Sequence, residues 1–352
     1  MPPRFCNAWS RQMTIPSFSP TYHLETTLGL KVTENMTEAS PDVYSREALK
    51  DRTIPFMILS DAENPLTAPV TRRELAHHDA PRRSILEPSE VAKLRFTVRG
   101  NAIVTGGAGM LALEAVRALL EHGASGISLF DLTTSFQSAH ALSALASLRQ
   151  TFPNAKILEK VVDITSEEAV NRGVDETIAE LGGVDVLLCF AGIVGTVHAA
   201  DMTLQQWHRI LEINTTGSWI CAQAVGKQMI QQNTGGSIVF TASISAHTVN
   251  FPQPQVAYNV SKGALLQLKN SLAAEWARYG IRTNSISPGY MDTVLNEGDG
   301  LAPVREIWAS RNPMGRMGDP SELAGTVILL CSPAGKYING ADIIVDGGGS
   351  VF

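Results

Sequence analysis

The sequence predicts an α/β fold, a doubly wound parallel sheet with helices on both faces, over 96–352, behind an irregular N-terminal extension over 1–95. Three observations carry that expectation. From Leu94 onward short apolar runs alternate with stretches of helical spacing. Most of the runs are largely apolar, as strands covered on both faces must be. Composition also breaks near residue 96, since ten of the eighteen prolines and a single glycine, Gly29, precede it.

The elements follow in order. Asn101–Thr105 is a buried strand, and Leu111 to His122 a helix closed by Gly123. Ile127–Asp131 is a second strand, Ala139 to Phe152 a helix, and Lys156 to Asp163 a third strand. Thr165-Ser-Glu-Glu168 has the capping-box pattern and opens a helix running to about Leu181. Val184–Phe190 is a fourth strand, Thr203-Leu-Gln-Gln206 caps a long helix, and Gly236–Thr241 is a fifth strand. A helix containing Tyr258, a strand at Arg282–Ser287, a helix capped by Asp319-Pro-Ser-Glu322 and a strand at Ala341–Val345 complete the series. Tyr290 to Asp319 is an insertion whose glycines and apolar residues, among them Trp308, suit a substrate lid.

Composition narrows the function. The net charge of −6 supplies no basic field for nucleic acid or an acidic membrane surface. No stretch approaches the ~18 consecutive apolar residues of a membrane span. The four cysteines, Cys6, Cys189, Cys221 and Cys331, lack metal-ligand spacing, and three sit in apolar runs as buried free thiols. The first 24 residues carry Arg4 and Arg11 and no acid before Glu25, compatible with a mitochondrial presequence. Pro2, Pro3, Pro16 and Pro20 oppose an amphipathic helix there, so a cytoplasmic protein with a loose tail is expected and import is the alternative.

Two stretches carry chemistry. Thr105-Gly-Gly-Ala-Gly-Met-Leu111 joins a strand to a helix, and such a turn offers backbone N–H groups and a helix N-terminus to a diphosphate. Asp131, ending the second strand, is placed to accept hydrogen bonds from both ribose hydroxyls and to repel a 2′-phosphate, favouring NAD over NADP. Asp163, ending the third strand, either touches adenine or caps the next turn. In the second stretch Tyr258 and Lys262 stand at i and i+4 on one helix face, where an ammonium can stabilise a phenolate. A Tyr-x-x-x-Lys pair alone is a common helix-surface pair, and the order of motifs around it gives it weight.

That order resembles the short-chain dehydrogenase/reductase family from about Leu94 to Phe352. The matching pieces are Thr105-Gly106, Asp163, Ala191-Gly192, Asn214, Ser243, Tyr258-x-x-x-Lys262, Pro288-Gly289-x-x-x-Thr293 and Asp346-Gly-Gly348. Asn250-Phe-Pro-Gln-Pro-Gln255, Asn284 to Asp292 and Pro313-Met-Gly-Arg316 resemble the fungal polyol branch, which interconverts sugar alcohols and ketoses.

The resemblance implies a Rossmann-type domain that moves hydride between NAD, or alternatively NADP, and a secondary alcohol or ketone, assembled as a homotetramer or homodimer. It implies Tyr258 as proton donor or acceptor, and Lys262 as the group tuning Tyr258 and holding the nicotinamide ribose. Asn214 holds a water through its backbone carbonyl, and Ser243 rather than Ser245 binds the substrate oxygen. Thr105, Gly106, Gly107, Gly109, Met110, Leu111, Asp131, Asp163, Ala191, Gly192, Pro288, Gly289, Met291 and Thr293 line the cofactor on this reading. Ser245, His247 and Asn250 are further substrate candidates.

Three departures stand out: Met110 and Ala112 replace two glycines of the family turn, and Cys189-Phe190 replaces an Asn-Asn pair. Two other readings stay open, a carbonyl reductase acting on a polyketide or other larger metabolite and a non-catalytic nucleotide-binding protein.

Overall fold

The computed structural model describes residues 55–57, 59, 86–293 and 301–352. Seven parallel strands form one sheet: β1 (Asn101–Thr105), β2 (Gly126–Asp131), β3 (Lys156–Val161), β4 (Val186–Cys189), β5 (Gly236–Thr241), β6 (Ile281–Pro288) and β7 (Asp342–Val345). Their order is β3-β2-β1-β4-β5-β6-β7. The winding reverses between β1 and β4, which pair Thr105 with Cys189 at their carboxyl ends. Ligands of open α/β sheets bind in the crevice outside such a reversal.

Alternation along each strand builds two cores. Val104, Leu129, Leu188 and Val239 face one side with Val116, Leu119, Leu145 and Val327. Those four come from α2 (Met110–Glu121), α3 (Ala139–Thr151) and α9 (Ala324–Cys331). Ile103, Phe130, Leu187 and Phe240 face the other side with Val174, Val225, Met229, Leu265 and Leu272. Those belong to α4 (Glu167–Leu181), α6 (Ser218–Gln232) and α7 (Val256–Trp276). Two further helices are α5 (Leu204–Leu211) and α8 (Ala302–Ser310). Among the described residues no helix is long and apolar enough to cross a membrane.

The structure corrects the sequence reading at three places. A helix, α1 (Pro88–Arg95), lies inside the stretch expected to be irregular. It buries no side chain, so no apolar period marks it, but proline at its start and Lys93 and Arg95 in its last turn suit a helix. The cap of α4 is Ser166, whose hydroxyl accepts from Ala169 N, while Thr165 instead bonds Asp163. The helix after Thr203 is interrupted by a π-helical segment, Glu212–Gly217. The boxes at Thr203–Gln206 and Asp319–Glu322 form as expected. Cys189, Cys221 and Cys331 are buried free thiols.

Candidate active site

The β1–α2 turn is built for close backbone approach. Gly106 has φ +63°, and a Cβ there would lie 2.7 Å from the Ala191 nitrogen. Only glycine tolerates both conditions. Gly107 N–H donates to Phe130 O, and Gly109 precedes α2, whose N-terminus carries no side-chain cap and no acid in its first turn. Such an end, opening on the reversal of the sheet, fits an anionic diphosphate. Met110 and Leu111 begin α2 half-buried, and Ala112 is buried, so the methyl added at the family's third glycine is accommodated.

The Phe190 departure is compensated locally. Phe190 N–H donates to Thr105 O, and Ala191 N–H reaches Thr105 Oγ1 at 3.3 Å, so backbone and Thr105 tie β4 to β1. Asp131 accepts from Ala108 N at 3.0 Å with one oxygen and from Leu132 N at 2.8 Å with the other. Asp163 accepts from both Thr165 N and Thr165 Oγ1, which hold its carboxyl below the usual carboxylate range. Capping is therefore the role its contacts show.

The second group gathers at the carboxyl ends of β4 and β5. Ser243 follows β5 and is buried, accepting from Ser245 N and donating to Ser245 Oγ at 3.0 Å. Tyr258 and Lys262 project from α7, with the Tyr258 phenol beside Ser243. Lys262 donates to Thr241 O at 2.7 Å and stands 5.6 Å from the Tyr258 ring centre. Asn214, in the π segment, grips the backbone of Ile193 through both amide atoms and donates to Ser261 Oγ at 3.0 Å. Ser261 in turn donates to Tyr258 O. Gly192 leaves this corner open, since a Cβ there would sit 3.2 Å from Asn214 Oδ1 and 3.6 Å from Lys262 Nζ. A π segment releases backbone groups from the α ladder and often marks a functional site. Here the Asn214 carbonyl accepts from Ser218 Oγ at 2.8 Å.

The sequence predicts that the Lys262 ammonium lowers the Tyr258 pKa. In the structure the phenol is instead pushed up, chiefly by burial, with the Ser243 hydrogen bond opposing and the nearby Tyr290 phenol adding to the rise. Burial strips water from a phenolate before any cation can compensate. The same desolvation brings Lys262 down to about 8.

Other expected residues fall into two sets. Pro288 ends β6, Gly289 N–H donates to Val345 O, and Met291 and Thr293 are buried beside that strand end. His247 is turned elsewhere, its Nε2 lying 2.9 Å from Asp342 Oδ2 and 3.3 Å from Ser287 Oγ. Asn250 reaches Tyr290, the first residue of the expected lid, which sequence reasoning did not single out as a site residue. Of the expected lid, Leu295, Gly298, Asp299 and Gly300 lie outside the described residues, while Trp308 is buried on α8.

With the site in view, comparison with known proteins is specific. The family model described as enoyl-(acyl carrier protein) reductase matches residues 107–350. The NADP-dependent mannitol dehydrogenase of Hypocrea jecorina is 35% identical over 256 residues, 72% of this chain and 93% of that protein. The ribulose-forming D-arabinitol 2-dehydrogenase of Scheffersomyces stipitis is 35% identical over 257 residues, 70% of this chain and 92% of that protein. Among solved structures, a gluconate 5-dehydrogenase from Burkholderia cenocepacia in complex with NADP and tartrate superposes with TM-score 0.66 at 30% identity, covering 74% of this chain and 99% of that one. This chain belongs to the short-chain dehydrogenase/reductase family and is an oxidoreductase that works with a nicotinamide cofactor. Within the family it is similar to enzymes of sugar-alcohol metabolism.

Proposed function

We propose that the protein interconverts a sugar alcohol and its ketose with NADP(H). The observation that carries this reading is the joined set Ser243, Tyr258, Lys262 and Asn214 at the reversal of the sheet, beside an uncapped helix N-terminus. The glycine turn and the start of α2 would hold the diphosphate, and Lys262 and Thr293 would meet the nicotinamide end. A bound nicotinamide supplies hydride exchange at the carbinol carbon.

The chain's own residues manage the oxygen and its proton. During reduction Tyr258, which like any phenol carries its proton at neutral pH, gives that proton to the substrate oxygen as negative charge develops there. Ser243 donates a hydrogen bond to the same oxygen, favouring the charged transition state over the neutral ground state. Lys262, charged below about pH 8, stabilises the phenolate left behind. Asn214 positions Tyr258 and Lys262 by tying the end of β4 to Ser261, between them on α7.

The relatives named above support the substrate class, and two of the three names carry NADP. The sequence expectation of NAD rests on Asp131 as acceptor of the ribose hydroxyls, with no Arg or Lys in the turn or just after Asp131. One of its oxygens accepts from Ala108 N of the turn and the other from Leu132 N, which leaves less capacity for ribose hydroxyls. A coenzyme-resolved screen of ketoses, polyols and simple ketones tests this. Turnover of a ketose with NADPH above NADH supports the reading. Turnover of large apolar ketones without any ketose would transfer it to the carbonyl-reductase alternative.

A further inference from the structure

Beside the catalytic group lies a small network of aromatic and amide side chains that the mechanism above does not use. Tyr290 follows Pro288-Gly289 and stacks on Trp308 of α8, with ring centroids 4.3 Å apart and planes at 8°. Trp308 Nε1 donates to Gln253 Oε1 at 3.2 Å, and Gln253 Nε2 donates to Tyr290 Oη at 3.0 Å. Asn250 Nδ2 donates to the same Tyr290 oxygen, also at 3.0 Å. Arg311, just past α8, lies over the Phe251 ring at 4.9 Å and braces the loop.

The direction of these bonds follows from chemistry. An indole N–H can only donate, so Gln253 must turn its oxygen to Trp308 and its NH₂ to Tyr290. A phenol oxygen that accepts two N–H groups has both lone pairs engaged, and its own proton must go elsewhere. Among the described residues no side chain takes it. Asn250 Oδ1 is buried without a hydrogen-bond partner. The Tyr290 proton and Asn250 Oδ1 thus both stand without a partner among the described residues, and leaving the buried Asn250 oxygen unpaired is costly. Were the Asn250 amide turned over, its oxygen would accept the Tyr290 proton and its NH₂ would be left to donate. The pair offers a donor in either orientation.

We propose that Tyr290 and Asn250 read a hydroxyl group on the substrate close to its reacting carbon, so that the enzyme selects α-hydroxyketones, and the alcohols they become, over plain ketones. A hydroxyl is complementary to this pair because it accepts from Tyr290 and donates to Asn250 Oδ1. Asn250 lies on the loop that runs from Ser243 to Tyr258, and Tyr290 lies just past the carboxyl end of β6, which pairs Ile286 with Thr241 of β5, so the pair stands at the same edge of the sheet as the catalytic group. The inference rests on the sugar-alcohol reading in supposing a hydroxylated substrate, and it adds the residues that would enforce that choice. A site built to bond a hydroxyl discriminates strongly against the analogue lacking it, because its own polar groups are then stranded.

The test compares 1-hydroxy-2-butanone with 2-butanone, reduced with the same coenzyme by the parent enzyme, Tyr290→Phe and Asn250→Ala. Phe keeps the ring on Trp308 and deletes only the hydroxyl. The parent should prefer the hydroxyketone in kcat/KM by about 100-fold or more, and Tyr290→Phe should cut that ratio by about 10- to 100-fold. Asn250→Ala, which leaves the stack alone, should lower it in the same direction. A parent without preference overturns the proposal, as does a Phe variant whose two substrates fall by one common factor. A parent that keeps the hydroxyketone preference yet reduces no ketose supports the proposal and refutes the sugar-alcohol reading, so the two failures are told apart.

Discussion

At the scale of the residue, Tyr258 and Lys262 were legible because a helix puts i and i+4 on one face, and the motif order singled them out. Burial was not legible, and burial is what turns the Tyr258 pKa upward. Tyr258→Phe should lose at least ~10²-fold in turnover while nicotinamide binding stays near normal, since it deletes a proton and little contact area. A variant retaining a tenth of parent activity in steady-state assays contradicts the assignment.

The pH dependence follows from the same side chains. Lys262 bears its proton below about 8 and loses it above, so ketone reduction should be level at neutral pH and decline as pH rises through that value. A kcat/KM profile that climbs from pH 7 to 9 would contradict this sign. His247 shows the limit of local reading, because its partner Asp342 lies 95 positions away.

At the scale of the element, strands and most caps could be read because each depends on neighbours in sequence. The π segment around Asn214 could not, although Asn in mid-helix already looked misplaced there. Its geometry depends on long-range bonds to Ile193 and Ser261. The substitutions in the turn and after β4 weaken the family pattern without breaking the fold, since Ala112 is buried in place and Thr105 ties β4 to β1.

Gly106 is the turn position least able to change. Gly106→Ala places a Cβ against the backbone of Ala191 at positive φ and should cost about 1–3 kcal/mol or more, read as a lower urea midpoint. An unchanged midpoint would mean that the turn is looser than the structure has it.

At the scale of the whole molecule, the sheet and its switch point follow from the strict alternation of elements, while the helix at 88–95 escaped because it buries nothing. We propose that residues 86–352 fold and act without the preceding chain. Every strand of the sheet and every residue of the proposed site lies within them. Purified 86–352 should match the full chain in turnover, and its melting temperature should differ little. An insoluble or inactive product would make residues 1–85 part of the working fold.

The central claim, that this oxidoreductase carries hydride between NADP(H) and a sugar alcohol or ketose, is tested most directly by product analysis. D-Fructose, D-ribulose and L-sorbose are each incubated with the parent enzyme and either NADPH or NADH, and coenzyme consumed is measured against polyol formed. The account predicts one polyol per NADPH oxidised for at least one ketose, with a lower kcat/KM for NADH. NADPH oxidation that yields no polyol from any ketose, or a clear preference for NADH, would contradict it.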